Sequence, residues 1–438
     1  MATFLERIFK LSENNTNIKT EVVAGITTFM TMAYIIFVNP SIVKATGMPF
    51  QAVMIATAIS AAFATLCMAF LANYPFALAP GMGLNAYFTY TVVLGMGLSW
   101  QEALGAVFIS GVVFLLLTLT KVRETIINAM PNTLKSAVSA GIGLFIAFIG
   151  MQNAGVVVDH GATLVTLGDL TDPSAILAIV GIIITGLLMA KEVKGSILWG
   201  IIIITILAIP LGVAEMPQKI FEVPTLSSWS PVLFKADIAG AWGKGILTII
   251  FAFLFVDLFD TAGTLVGVSQ QAGFLDEDGN LPKVERALLA DSVGTIAGSM
   301  MGTPTVTTYV ESASGVAQGG RTGLTGVVIS LCFLLSIFFT PVIAIVPAAA
   351  TAPALIIVGS LMLRNAVHIE WENIAESLPA FVTIIAMPFT YSIATGISLG
   401  FILYPIVKLF HGEGKDVHWV VYLLGALFIL KYIFLGGA

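Results

Sequence analysis

The sequence predicts an all-α polytopic membrane protein, and three observations carry that reading. Of its 438 residues, 58% are hydrophobic and only 10% are charged, against about 25% charged in soluble domains. The apolar runs are long. Between Glu21 and Lys121 the only charged residues are Lys44 and Glu102, and from Thr322 to Leu363 there are none; a spanning helix takes about 20 mostly apolar residues. Finally, Lys and Arg are unevenly distributed, as they are when positive charge collects in cytoplasmic loops.

Apolar segments fall near 22–43, 50–72, 76–96, 102–120, 134–153, 174–190 and 195–213. A more polar stretch, 214–241, follows. The second set lies near 243–268, 287–302, 304–318, 322–340, 342–363, 376–390, 392–410 and 417–435. This gives seven segments and then seven or eight, about 14 in all. With Arg7, Lys10 and Lys19 inside, the inner loops hold Lys121, Arg123 and Lys135; Lys191 and Lys194; Lys283 and Arg286; Arg321; Arg364; and Lys408 and Lys415. The outer side carries only Lys44, Lys219, Lys235 and Lys244. A cytoplasmic N-terminus therefore fits the charge pattern. The last run, 417–435, either crosses again or packs at the periphery.

The expected organisation is a cytoplasmic segment 1–19, a first repeat 20–213, an extracytoplasmic connection 214–241, a second repeat 242–410 and a hydrophobic C-terminal segment 411–438. Phe4, Leu5, Ile8 and Phe9 recur at helical spacing, which suits a short interfacial helix. The opening MATFLERIFKLSENNTNIKTE has no apolar signal region or cleavage site, so no cleaved leader is expected. Cys67 and Cys332 lie in apolar runs without disulfide or metal spacing and read as packing residues. There is no basic cluster for nucleic acid.

An odd number of helices per half makes the second half enter the membrane in the opposite sense, the arrangement of an inverted-repeat transporter. One correspondence supports it. The third segment of each half is interrupted, as FALAPGMGLNAYF and as GSMMGTPTVTTYVE. Gly and Pro place irregular, extended backbone at membrane depth, which is tolerated only around a cavity or inside protein. Half-helices are expected to start near Asn85 and Thr305, with free N–H groups turned to the cavity.

Three carboxylates mark the same region. Asp257 and Asp260 interrupt GILTIIFAFLFVDLFDTAGTLVGV, and Glu311 follows a second apolar run. A bare charge at the bilayer centre costs about 2.5 kcal/mol or more, so such groups face a cavity, a partner or a ligand. Asp257 and Asp260 share a helix face, which Thr261 and Thr264 extend. Glu311 sits in a polar run with Thr305, Thr307, Thr308 and Tyr309. Asn85, the only amide of its segment, either contacts the ligand or braces the break.

These groups suit a small planar heterocycle. Carboxylates accept from ring N–H and amino groups, and an amide with half-helix N–H groups serves ring nitrogens and carbonyls. Phe251, Phe253, Tyr87 and Tyr309 are candidates to stack on the ring. An anion fits worse beside three acids. No His or Cys falls beside the acids to act as nucleophile or metal ligand, so neither catalysis nor a metal site is expected. DEDGN at 276–280 fails calcium-loop spacing and reads as a solvated turn. Glu102 and Asp291 read as acids near helix starts. No P-loop is present, so ATP is not the expected energy source.

The runs TEVVAGITTFMTMAYIIFVNP, APGMGLNAYF, FVDLFDTAGTLVG and GTPTVTTYVESASGVAQGGRTGLT resemble the nucleobase–cation symporters, in their adenine/guanine/hypoxanthine permease branch. The resemblance covers nearly the whole chain. It implies fourteen helices in two inverted sevens, arranged as core and gate domains, and proton-driven uptake of purine bases through a bacterial inner membrane. Carried over by residue, it implies substrate contacts from Gly83, Asn85, Asp257 and Glu311, to which Thr261 and Thr308 are added from the polar stripe. Asp260 or Asp257 is expected to carry the proton, with sodium the other coupling ion and no cofactor. Expected partners are the purine, the lipid bilayer and a second copy in a homodimer. The alternative is an anion carrier of the same fold, related to sulfate permeases.

Overall fold

A computed structural model describes residues 2–120, 130–242, 246–276 and 281–434. Lys121, Arg123, Lys244 and most of the DEDGN turn lie outside the described residues. The chain opens with α1 (Ala2–Phe9), α2 (Ile18–Met32), α3 (Ile35–Val43) and α4 (Phe50–Leu71). A short strand, β1 (Leu78–Pro80), leads into α5 (Met82–Ala86) and a π-helix over Tyr87–Gly95. Next come α6 (Trp100–Leu119), α7 (Asn132–Asn153), a hairpin of β2 (Val157–His160) and β3 (Leu164–Leu167), α8 (Pro173–Ala190) and α9 (Ser196–Ala208).

The second half has α10 (Ile246–Ala272), α11 (Val284–Met301), strand β4 (Val306–Thr308) and α12 (Ser312–Ala317). It closes with α13 (Gly323–Ser336), α14 (Ala348–Leu363), α15 (Ile374–Phe389), α16 (Ile393–His411) and α17 (Trp419–Phe434). Among the described residues, eight helices are long and apolar enough to cross a membrane, so the protein is multi-pass. Shorter apolar helices at Ser196–Ala208, Ile374–Phe389 and Trp419–Leu430 accompany them.

Local chemistry sets the helix ends. Ser99 and Glu102 form a capping box at the start of α6, so the expected helix-start role of Glu102 holds. Asp172 caps α8 with Pro173 at its first turn. Gly302 ends α11 at φ +98°, where a Cβ would also sit 2.5 Å from Val232. Glu21, fully buried, caps α13 from the far end of the sequence. Its carboxylate accepts from the N–H groups of Arg321 at 2.8 Å, Thr322 at 3.3 Å and Thr325 at 3.1 Å, and from the Thr325 hydroxyl at 2.7 Å. These are donors around a helix start, of which Thr325 N–H also reaches Thr322 O at 3.2 Å.

The helices pack as two groups. In one, α4 lies against α11 and α13, α6 against α10 and α11, and α2 against α12 and α13. In the other, α7 lies against α14 and α15, α8 against α9 and α14, and α16 against α15 and α17. Contacts of α10 with α7 and α16, and of α5 with α7, join them. The connection 214–241 is docked on the first group: the Trp229 indole donates to Met301 O at 2.9 Å, and Phe234 N–H to Met300 O at 2.7 Å. α1 forms where the apolar spacing placed it, with Phe9 buried beside Leu11 and Leu324. α17 is half-buried against α16; its Phe428 meets Phe251 edge-on at 4.9 Å.

Candidate functional site

The two interrupted segments meet. Strands β1 and β4 pair antiparallel in the register Leu78↔Thr308, Ala79↔Thr307 and Pro80↔Val306. The ladder continues through Tyr309 N–H to Ala77 O at 2.9 Å and Gly81 N–H to Thr305 O at 3.0 Å. Buried backbone must pair, and here two threonines complete what two short strands leave open. The Thr65 hydroxyl on α4 accepts from Leu78 N–H at 2.9 Å and donates to Leu78 O at 3.1 Å. The Thr295 hydroxyl on α11 donates to Val306 O at 2.9 Å and accepts from Val306 N–H at 3.3 Å. Each half therefore brackets the first residue of its own strand in the same way.

This pairing moves the half-helices from their expected starts. α5 begins at Met82, earlier than Asn85, and α12 begins at Ser312, later than Thr305. The cause is that residues 306–308 and 78–80 are spent on the ladder. Gly81 makes the turn out of β1. A Cβ there would lie 2.7 Å from Thr307 Cγ2 and 3.6 Å from Asp260 Oδ2, so the first broken segment touches the carboxylate stripe. Gly83 has a packing reason instead: its Cβ would stand 2.7 Å from Ile142 on α7.

Asp257, Asp260 and Thr261 lie together on α10, with Asp257 3% exposed and Thr261 fully buried. Thr261 is a hub. Its hydroxyl is 2.8 Å from the Thr307 hydroxyl of β4, 3.1 Å from Asp291 Oδ1 and 3.5 Å from Asp257 Oδ1. A hydroxyl carries one proton and two lone pairs, so Thr261 donates to a carboxylate while accepting from Thr307. Asp291 thus corrects the helix-start reading. It lies well inside α11, fully buried, and joins the site as a fourth carboxylate.

Glu311 stands at the N-terminal boundary of α12 but does not cap it. Its Oε1 instead accepts from the Tyr34 hydroxyl at 2.5 Å. Asn85 is on α5, one turn beyond Gly81, and α5 packs on α10. Among the described residues, neither amide atom of Asn85 has a hydrogen-bond partner, although the side chain is fully buried. The hydroxyls of Thr305, Thr308 and Tyr87 are likewise buried and unpartnered. Native proteins pair almost all such groups, so a cluster of exceptions requires a reason. The region therefore offers carboxylate acceptors together with an amide and hydroxyls of both senses.

Of the candidate aromatics, Tyr87 and Phe253 meet edge-on at 5.0 Å, and the Tyr309 hydroxyl is committed to Pro80 O at 2.5 Å. Phe251 turns to Phe428 of α17. Sequence reasoning missed Tyr34 and the role of Asp291, and had Thr307 only as a member of the polar run around Glu311. An acid inside an apolar helix was a usable signal for Asp291. Nothing in the sequence pattern singles out Tyr34.

The sequence profile of the Permease family matches residues 19–399. The adenine permease AdeP of Escherichia coli is 44% identical over 98% of this chain and 96% of its own length. The guanine/hypoxanthine permease PbuG of Bacillus subtilis is 45% identical over 98% of this chain and all of its own. Among solved structures, the transmembrane domain of the cyanobacterial bicarbonate transporter BicA superposes with a TM-score of 0.65 at 17% identity. It covers 86% of this chain and 97% of that domain, and at that identity it shares the fold alone.

Proposed function

We propose that this chain, which belongs to the nucleobase permease family in its purine branch, carries purine bases across a cell membrane by proton-coupled alternating access. It is a transporter and not an enzyme. The observation that carries the reading is the buried Asn85 amide, unpartnered on both atoms, beside a helix that bears two carboxylates. A purine presents ring N–H donors and ring-nitrogen or carbonyl acceptors on one flat edge, and so complements that set. Asp257 and Glu311 accept from the base, Asn85 orients it, and Thr308 and Thr261 complete the polar wall. Tyr87 and Phe253 supply the aromatic side.

The same proposal takes the chain as fourteen crossings in two inverted sevens, 20–213 and 242–410. The matched threonine brackets and the reciprocal strands support it, since each does the same task in its own half. The group built on α4, α11 and α13 is the core that carries the base. The group built on α7, α14 and α15 is the gate. Asp260 or Asp257 takes the coupling proton. The fold is also that of a bicarbonate carrier, but four carboxylates in one region repel an anion.

Uptake of labelled adenine and hypoxanthine in a purine-transport-deficient host tests the assignment. Glu311→Gln and Asp257→Asn are expected to lose uptake while reaching the membrane in normal amount. Wild-type uptake by both would sink it. Competition by a panel of bases at two pH values ranks the substrates and reads the proton.

A further inference from the structure

The joint between α2 and α3 lies against the second broken segment. Tyr34 sits at that joint, fully buried, with its hydroxyl on Glu311. The contact to Glu311 is one rung of two. Tyr34 donates to Glu311 Oε1 at 2.5 Å, and one turn earlier Thr31 meets Ser314 hydroxyl to hydroxyl at 2.9 Å. Ser314 in turn donates to Glu311 O at 2.7 Å. The two pairs are three residues apart on each segment and run in opposite directions, so the end of α2 with its joint lies antiparallel to the start of α12. α2 packs along α12 and holds that register.

We infer that Tyr34 is a positioning residue for base recognition, acting through Glu311. A phenol can give one proton, and a carboxylate can only accept. The contact takes up one lone pair of Oε1 and ties that oxygen to the α2–α3 joint, which restricts the swing of the carboxylate. Ligand recognition at Glu311 then falls chiefly to Oε2, over a narrower range of angles. A freely rotating carboxylate would accept from any N–H along an arc. A restrained one selects a base whose N–H arrives within that range. This deepens the proposed purine site and rests on it. Tyr34 sets the strictness of that site and is not itself a ligand contact.

The test uses the full chain purified in detergent and the same variants in a purine-transport-deficient host. Tyr34→Phe removes only the hydroxyl and keeps the ring's packing. With the carboxylate freed, the base must order it on binding, so KM for the preferred purine is expected to rise about tenfold. Vmax per molecule stays at the wild-type value while KM rises, a split that a merely structural residue would not produce; the ligand-free melting temperature falls modestly, because Glu311 Oε1 loses a partner that the free protein also holds. Discrimination among the panel of bases narrows. Glu311→Asp, one methylene shorter, withdraws its carboxylate from the phenol, and in that background Tyr34→Phe adds nothing. An unchanged KM in Tyr34→Phe, or the same fold loss in both backgrounds, overturns the inference. A wild-type protein whose melting temperature responds to no purine would instead refute the purine assignment beneath it.

Discussion

Asn85→Ala gives the sharpest test, because its two effects have opposite signs. The side chain is fully buried, and neither amide atom has a partner among the described residues. An unsatisfied buried amide costs about 1–3 kcal/mol. Replacing Asn by Ala inside a helix adds roughly half a kcal/mol of propensity. The packing lost around a fully buried side chain offsets part of that gain. Relief of the amide is expected to outweigh it, so the ligand-free protein melts at or above the wild type. Its stabilisation by saturating purine, large in the wild type by mass action, collapses together with uptake. Asn39 is the control: equally buried, its amide donates to Thr57 at 2.7 Å and Thr303 at 2.9 Å. Asn39→Ala removes two bonds made by Nδ2, along with an Oδ1 that has no partner among the described residues, and should lower the melting temperature. The assay is thermal unfolding in detergent with and without purine. If Asn85→Ala melts as far below wild type as Asn39→Ala, or still responds to purine, the reasoning fails.

Two further predictions concern the frame of the site. Thr65→Val and Thr295→Val each strip a hydroxyl that serves both backbone groups of one strand residue. Each should cost about 2 kcal/mol or more, read as similar drops in melting temperature; a drop in only one would break the equivalence of the brackets. Glu21→Gln turns an amide NH2 toward N–H donors that a carboxylate satisfies. It should destabilise by about 1.5–3 kcal/mol, and denaturant titration at wild-type level would contradict that.

How much of this was legible in the sequence depended on the kind of signal. Asp257, Asp260 and Glu311 were visible because charge stands out in an apolar run, and Asn85 because it was the only amide of its segment. The breaks were visible because Gly and Pro punctuate backbone. Their outcome was not. That residues 78–80 and 306–308 form a ladder is fixed by a partner in the other half, so the half-helix starts shifted in opposite directions. Tyr34 lies in MTMAYIIF, where no Gly or Pro marks the joint, and its partner is 277 positions away. Asp291 follows ERALLA and looked like an acid of a helix start. α11 begins earlier than that, and only the packed position of Thr261 on α10 reveals what the acid does.

The strand pair also sets an order of assembly. Tyr309 and Pro80, which it brings together, are 229 positions apart. During synthesis, residues 78–80 reach the membrane long before β4 exists, and an unpaired backbone group in hydrocarbon costs several kcal/mol. Thr65 is available at once from the same half and covers both groups of Leu78. Gly81 N–H and Ala77 O have no such local cover and wait for Thr305 and Tyr309. The first half thus enters the bilayer as an unfinished piece, sheltered at one residue and open at its neighbours. Closure of the site must wait for the second half, and the two halves made as separate chains should regain uptake only when they are present together.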